Sequence, residues 1–272
     1  MVYLLTINCM KAIILAAGMG TRLSKYTHNL PKGMLNLFGK SLIQRQVDLF
    51  RSCGIEDIII VTGYQKDKVN ISGVKYYNND NYSNTNMVET LFCAEDELDD
   101  DVIVSYSDII YTKEVLKKVI ESKVNIGVTI DDSYWDYWQA RMENPLLDIE
   151  SLVIDSDNKI IELGDTSCSL EKAKVRYVGL LKFSGLGVEN LKKVYNKNKK
   201  LFFEKGEPWL RSKSFKKAYM TCMLKALINE GYRVDPIYIS HGWMEFDTNE
   251  DYENAIEWDK NGILERFIKL DK

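Results

Sequence analysis

Lys11-Ala12-Ile13-Ile14-Leu15-Ala16-Ala17-Gly18-Met19-Gly20-Thr21-Arg22-Leu23, followed by Leu30-Pro31-Lys32, is the stretch that decides how this chain folds. Lys11 to Ala17 is a short, almost wholly apolar run that stops at Gly18, the pattern of a parallel strand buried on both faces. The two glycines and small alanines that follow allow a tight turn, and they let backbone N–H groups come close to an anionic ligand. Arg22 adds a planar fork for phosphate oxygens, and Lys32 adds a mobile point charge. Two other phosphate loops do not fit. The dinucleotide pattern G-x-G-x-x-G fails because Leu23 stands where its last glycine belongs, and G-x-x-x-x-G-K-[ST] is absent.

Outward from this loop, strand and helix patterns alternate. Ser41 to Cys53 reads as a helix stopped by Gly54, Asp57 to Thr62 as a second buried strand, and Val74 to Tyr77 as a third. Asn86 to Leu98 reads as a helix, Val102 to Tyr106 as a strand, Thr112 to Ser122 as a capped helix and Ile126 to Ile130 as a strand. Such alternation predicts an α/β domain with a three-layer, Rossmann-like, mostly parallel mixed sheet. Beyond it, Leu152 to Leu163 reads as a hairpin about Asp155-Ser156-Asp157-Asn158, and Tyr177 to Phe183 as a strand. Helices are expected at Gly187 to Phe203, Tyr219 to Glu230 and Glu250 to Phe267. The β-rich part is expected to complete a small substrate lid.

The composition narrows the classes. The chain has 272 residues, 36 basic against 40 acidic, for a net charge of −4. That balance argues against a broad nucleic-acid surface but leaves room for a local basic pocket. Five cysteines at 9, 53, 93, 168 and 222 make neither a disulfide framework nor a zinc ribbon. His28 and His241 are the two histidines, too few for a histidine-rich metal site, and both are expected to be structural or surface residues. No apolar run reaches membrane-spanning length. A cytoplasmic setting is expected. Residues 1–9 are read as an extension ahead of a single domain over 10–272, with the native start left open between Met1 and Met10.

Two carboxylates are singled out. Asp108, in Ser105-Tyr106-Ser107-Asp108-Ile109, follows a buried strand, where open α/β sheets bind ligands. Mg2+ would suit such a carboxylate, as would a helix-cap or turn role. Asp247, in Gly242-Trp243-Met244-Glu245-Phe246-Asp247-Thr248-Asn249-Glu250-Asp251, is its candidate partner, with Glu245 as the alternative. Asp247 or Thr248 also suits the cap of the last helix.

The loop from Lys11 to Leu23 with Leu30-Pro31-Lys32 resembles the signature of nucleotidyltransferases that activate sugar phosphates and phosphocholine. The usual residue after Pro-Lys is Cys, Ala or Pro, and here it is Gly33. The resemblance implies a sheet of the nucleotide-diphospho-sugar transferase type and a nucleoside triphosphate wrapped by Leu15, Ala16, Ala17, Gly18, Met19, Gly20, Thr21 and Arg22. It also implies Lys32 on the reacting phosphoryl group and Mg2+ on Asp108 and Asp247. Catalytic weight falls on Arg22, Lys32 and Asp108.

Four further stretches occur in order: Asn84 to Val88, Ser105 to Tyr111, Trp138 to Leu146 and Tyr177 to Phe183. With the loop they resemble the phosphocholine-type cytidylyltransferase branch, which is also similar to enzymes acting on phosphonates and phosphoglutamine. This implies CTP as donor, with Asn86 and Ser107 beside the nucleotide and Lys182 and Tyr177 beside the acceptor. Tyr134-Trp135-Asp136-Tyr137-Trp138 with Trp243 suits either a cation–π cage for choline or a packed lid cluster. Arg141 and Glu143 suit a zwitterionic acceptor instead. The alternatives are a sugar-1-phosphate nucleotidyltransferase using UTP, dTTP or GTP, and a nucleotide-sensing module without catalysis. The partners expected are small-molecule substrates, neither nucleic acid nor membrane; a homodimer stays open, as does a role in capsule or cell-surface polysaccharide synthesis.

Overall fold

A computed structural model describes residues 10–270, so the expected extension over residues 1–9 lies outside the described residues. Seven strands build the central sheet: β1 Lys11–Ala16, β2 Asp57–Thr62, β3 Lys75–Asn78, β4 Val102–Tyr106, β5 Ile126–Asp131, β6 Arg176–Phe183 and β7 Asp235–Ile239. Their order is β7-β5-β6-β4-β1-β2-β3. All neighbours are parallel except β6, which runs antiparallel to both β4 and β5. The expected mixed, mostly parallel sheet is what the chain forms.

Strand periodicity sends alternate side chains to opposite layers. Ala12, Ile14, Ala16, Ile58, Ile60 and Ile103 face one core, and Ile13, Leu15, Ile59, Val61, Val102 and Val104 the other. Helices α1 Leu42–Ser52, α3 Lys113–Glu121, α4 Tyr134–Arg141 and α7 Asn249–Lys260 cover the first face. Helices α2 Met87–Phe92, α5 Leu186–Phe202 and α6 Met220–Asn229 cover the second.

Sequence and structure differ at four elements. The helix expected to reach Leu98 ends at Phe92, with a separate 3-10 turn over Glu95–Glu97. The last helix stops at Lys260, where Asn261 caps it and Gly262 takes φ 71°, before a 3-10 turn at Leu264–Arg266. Strand β7 carries Pro236, which an edge strand tolerates because one side of its ladder is free. The aromatic run from Tyr134 forms helix α4, with Tyr134, Tyr137 and Trp138 buried.

The expected hairpin is present as Leu152–Ile154 paired antiparallel with Ile160–Leu163. Leu152, Ile160 and Leu163 anchor it in the second core. No helix of the described residues is long and apolar enough to cross a membrane.

Candidate active site

Strand register brings the first two motifs together. Leu15 pairs with Tyr106 across β1 and β4, so the glycine loop and Ser107-Asp108 leave the same sheet edge side by side. Ser107 N–H donates to the Leu15 carbonyl at 3.3 Å. Gly20 takes φ 62°, the left-handed region that an L side chain disfavours, where the loop bends into the Thr21–Leu23 turn. Lys32 follows Pro31 in a 3-10 turn. Gly33, the departure from the resembled pattern, packs so tightly that a Cβ there would sit 2.5 Å from Ile43 Cδ1 and 2.9 Å from Ser107 Cβ. Its lack of a side chain is what lets the Lys32 turn lie against the strand end bearing Asp108.

A second device delivers Asp247. After β4 the chain reverses into Ile109–Tyr111, which pairs antiparallel with Trp243–Glu245, and Phe246 N–H donates to the Asp108 carbonyl at 2.9 Å. The two aspartates, 139 positions apart, are thereby adjacent. Lys32 Nζ donates to Asp108 Oδ2 at 2.7 Å and to Asp247 Oδ1, while Arg22 Nη2 lies 3.2 Å from Asp247 Oδ2. Burial alone would raise the Asp247 pKa, but Lys32 and Arg22 hold it down at about 2. The same two carboxylates keep the buried Lys32 ammonium protonated well above its ordinary range, against the pull of burial.

Behind this trio stands a buried brace. Arg141 Nε and Nη2 donate to the two Asp251 oxygens at 2.6 and 2.8 Å, and Nη1 donates to Glu245. Asp251 Oδ2 accepts from the backbone N–H of Asp247 at 2.7 Å and of Thr248 at 2.8 Å, and Thr248 closes a capping box on α7. The cap expected at Thr248 and the carboxylate of Asp247 are therefore both in use. Gln46, which the sequence reading passed over, braces the other side: its Nε2 donates to the Tyr106 and Ile109 carbonyls at 2.9 and 2.7 Å.

Two cavities meet here. One, of about 270 Å³, is walled by Leu15, Ala17, Gly18, Gly20, Thr21, Arg22, Lys32, Asn86, Ser107 and Asp108. Ala16 turns into the core and Met19 is exposed, so neither lines it. Tyr82, Thr85 and Thr90 also line it; the polar run Asn79 to Asn86 after β3 was the available signal. The other cavity, of about 660 Å³, takes in Asp148, Glu150, Asp165, Arg176, Tyr177 and Glu245. Arg22, Met87, Tyr106, Asp108 and Asp247 line both.

Four residues expected beside the acceptor are elsewhere. Lys182 pairs in register with Ile103, near the start of β4, because β6 runs antiparallel; Tyr177, at the other end of β6, does face the larger cavity. Lys182 is 4% exposed and its ammonium donates to the Ile120 and Ser122 carbonyls, both at 2.8 Å. Trp138 and Trp243 are 0% and 1% exposed, so they cannot form a choline cage. Trp138 stacks under the Arg141 and Arg176 guanidinia, at 4.7 and 4.3 Å, and Trp243 Nε1 donates to Asp131 at 2.7 Å. Arg141 is consumed by the brace. The packed-cluster alternative is the correct one for these aromatics.

Residues 12–146 match the family model for the MobA-like NTP transferase domain. Over 260 residues the chain is 34% identical to the CTP:phosphoglutamine cytidylyltransferase of Campylobacter jejuni, covering 91% of this chain and all of that one. It is 37% identical over 151 residues to the choline-phosphate cytidylyltransferase of Streptococcus pneumoniae, covering 54% of this chain and 65% of that one. The solved structure of CTP:phosphocholine cytidylyltransferase from Streptococcus pneumoniae shares the fold, with a TM-score of 0.69 at 24% identity, over 91% of this chain and 98% of that one.

Proposed function

The chain belongs to the nucleotidyltransferase family, and from that premise we propose that it is a Mg2+-dependent cytidylyltransferase. It joins CMP from CTP to a small phosphorylated or phosphonate acceptor and releases pyrophosphate. The observation that carries this reading is the meeting of Arg22, Asp108 and Asp247 at the wall shared by the two cavities, with Lys32 reaching both aspartates from the smaller one. A nucleotide in the smaller cavity and an acceptor in the larger one would present their phosphates to the same Arg22, Asp108 and Asp247, with Lys32 behind them on the nucleotide side. The cytidylyltransferase relatives support CTP as donor and a phosphorylated acceptor.

An acceptor phosphate oxygen attacks the α-phosphorus of CTP and pyrophosphate departs on the opposite side. The attacking oxygen is already anionic, so the step needs no strong general base. The work lies in holding several anions together in line. The Gly18–Thr21 loop offers backbone N–H groups to the phosphates, Arg22 neutralises oxygens from the rim, and Lys32 directs its ammonium to the reacting phosphoryl group. Asp108 and Asp247 fit a divalent cation: both are hard oxygen donors, and both already converge on one positive charge, the Lys32 ammonium. Two carboxylates would leave room for water and substrate phosphates beside the ion, the ligands Mg2+ usually keeps. When bound, that ion would supply further neutralisation of phosphate charge.

A pyrophosphate-release screen of four nucleoside triphosphates against phosphorylated acceptors, with Mg2+, tests the reading. CTP-dependent turnover is expected, and Asp108→Asn should lower kcat by at least about 10²-fold while the protein still unfolds in one cooperative transition. Turnover with UTP and a hexose phosphate but none with CTP would replace this function with nucleotide-sugar synthesis.

A further inference from the structure

The larger cavity has an unexpected charge for a chamber meant to admit a phosphate. Six carboxylates and three arginines line it. Most of these are already committed. Asp108 and Asp247 share Lys32. Glu245 pairs with Arg141. Arg176 donates to the Asp148 carbonyl at 2.8 Å and lies over Trp138, and Arg211 donates to the Leu163 carbonyl and to Glu162. Asp165 accepts from Ser167 N–H at 3.0 Å.

Glu150 is the exception. It accepts no hydrogen bond and joins no ion pair among the described residues, although it is half-buried in the cavity wall. Burial pushes its carboxyl above the usual range, with the charges of Arg176 and Arg211 opposing from beyond ion-pair distance. Its backbone is fixed rather than loose. The neighbouring Ser151 exchanges bonds across the base of the hairpin: Ser151 N–H donates to the Asp165 carbonyl and Gly164 N–H to the Ser151 carbonyl, both at 2.9 Å. Tyr106 and Tyr177 line the same wall, with ring centroids 6.0 Å apart.

We propose that Glu150 is the specificity residue of the acceptor cavity, and that it selects a phosphate or phosphonate whose far end carries a protonated primary or secondary amine. The inference rests on the larger cavity being the acceptor site. The phosphate end meets Arg22 and the aspartate pair at the shared wall; the far end reaches an unpaired carboxylate. An N–H-bearing ammonium gives that carboxylate both an opposite charge and a hydrogen-bond donor. A quaternary ammonium gives charge without a donor, and Trp138 and Trp243, which could have caged it, are buried in the core. A hydroxylated sugar gives no charge.

Three probes that differ at the far end decide this: 2-aminoethyl phosphate, choline phosphate and ethyl phosphate, each assayed with CTP and Mg2+ on the whole protein. The expected order of kcat/KM is aminoethyl above choline above ethyl, with aminoethyl ahead of ethyl by roughly tenfold or more. In Glu150→Gln the aminoethyl-to-ethyl ratio should fall to near one, and Glu150→Asp should keep part of it. Equal wild-type use of aminoethyl and ethyl phosphate overturns the proposal, as does a ratio that survives Glu150→Gln. If no probe is turned over with CTP, turnover no longer bears on Glu150, and the donor reading is judged by the nucleotide screen above. Calorimetric titration of aminoethyl against ethyl phosphate then decides the question by itself: tighter aminoethyl binding supports Glu150, and equal or absent binding sinks it.

Discussion

Asp247 is held by two cations, and that has a consequence for stability that can be read by pH. Its folded pKa of about 2 lies below the ordinary carboxylate value. A depressed carboxyl contributes stability above its unfolded pKa and loses it as pH falls through the folded one. The contribution should be full above about pH 4 and fade towards pH 2, with a size on the order of 2 kcal/mol. Urea unfolding of wild type and Asp247→Asn should differ by about that amount at pH 6 and converge near pH 2–3; a gap that stays constant with pH would contradict the Lys32 and Arg22 pairing. At this scale the sequence was partly legible. Arg22, Lys32 and Asp108 stand in or beside recognisable motifs, and it was the resemblance of those motifs to the nucleotidyltransferase signature, rather than spacing, that implied their place at the site. Glu150 and Gln46 were not placed, since what distinguishes each is the absence or presence of a partner more than 25 residues away along the chain or across the sheet.

Between elements, the joint that matters most is Arg141 at the end of α4, clamping Asp251 in the first turn of α7 and Glu245 at the end of its strand. Removing the cation leaves carboxylates buried without a partner, a change that typically costs about 3–5 kcal/mol. Arg141→Met should therefore lower stability by that order in denaturant unfolding, and Asp251 should lose its hold on the Asp247 backbone, so turnover should fall as well. Arg141→Lys restores the charge but not the two-pronged fork, and should recover part of the stability. A fully stable Arg141→Met protein would show that the brace carries little. Elements with a plain pattern, the apolar runs of β1, β2 and β4 and the spaced apolar residues of α1, were legible from residue order alone. Helix α4 was not, because aromatic residues on several faces hide its period: Tyr134, Tyr137 and Trp138 are buried while Trp135 is half-buried. Strand β7 was masked by Pro236, which speaks against a strand unless its place at the sheet edge is known.

Across the whole molecule, the direction of one strand divides function from scaffold. Tyr177 and Lys182 are five positions apart on β6, but a bulge between Tyr177 and Leu181 leaves them opposite Ile130 and Gly127, three steps or roughly 10 Å apart along the sheet and towards its opposite ends. Sequence order cannot reveal this, since a strand that reverses inside a mostly parallel sheet looks like any other. A lysine on it reads as a phosphate ligand if the strand is taken as parallel, and as a tie for the far edge if it is not. The observed register gives the second answer: Lys182 secures the carbonyls of Ile120 and Ser122 where α3 ends. Burial also draws its pKa down, with Asp101 opposing, so the ammonium is kept by these hydrogen bonds rather than by a direct ion pair. Lys182→Met preserves the length of the stem while removing both donors. It should cost about 1–3 kcal/mol of stability through the two carbonyls left without partners, and leave the acceptor KM and kcat within about twofold of wild type, as expected for a change remote from the reacting groups. A rise in acceptor KM at unchanged stability would instead place Lys182 at the substrate and require β6 to run the other way.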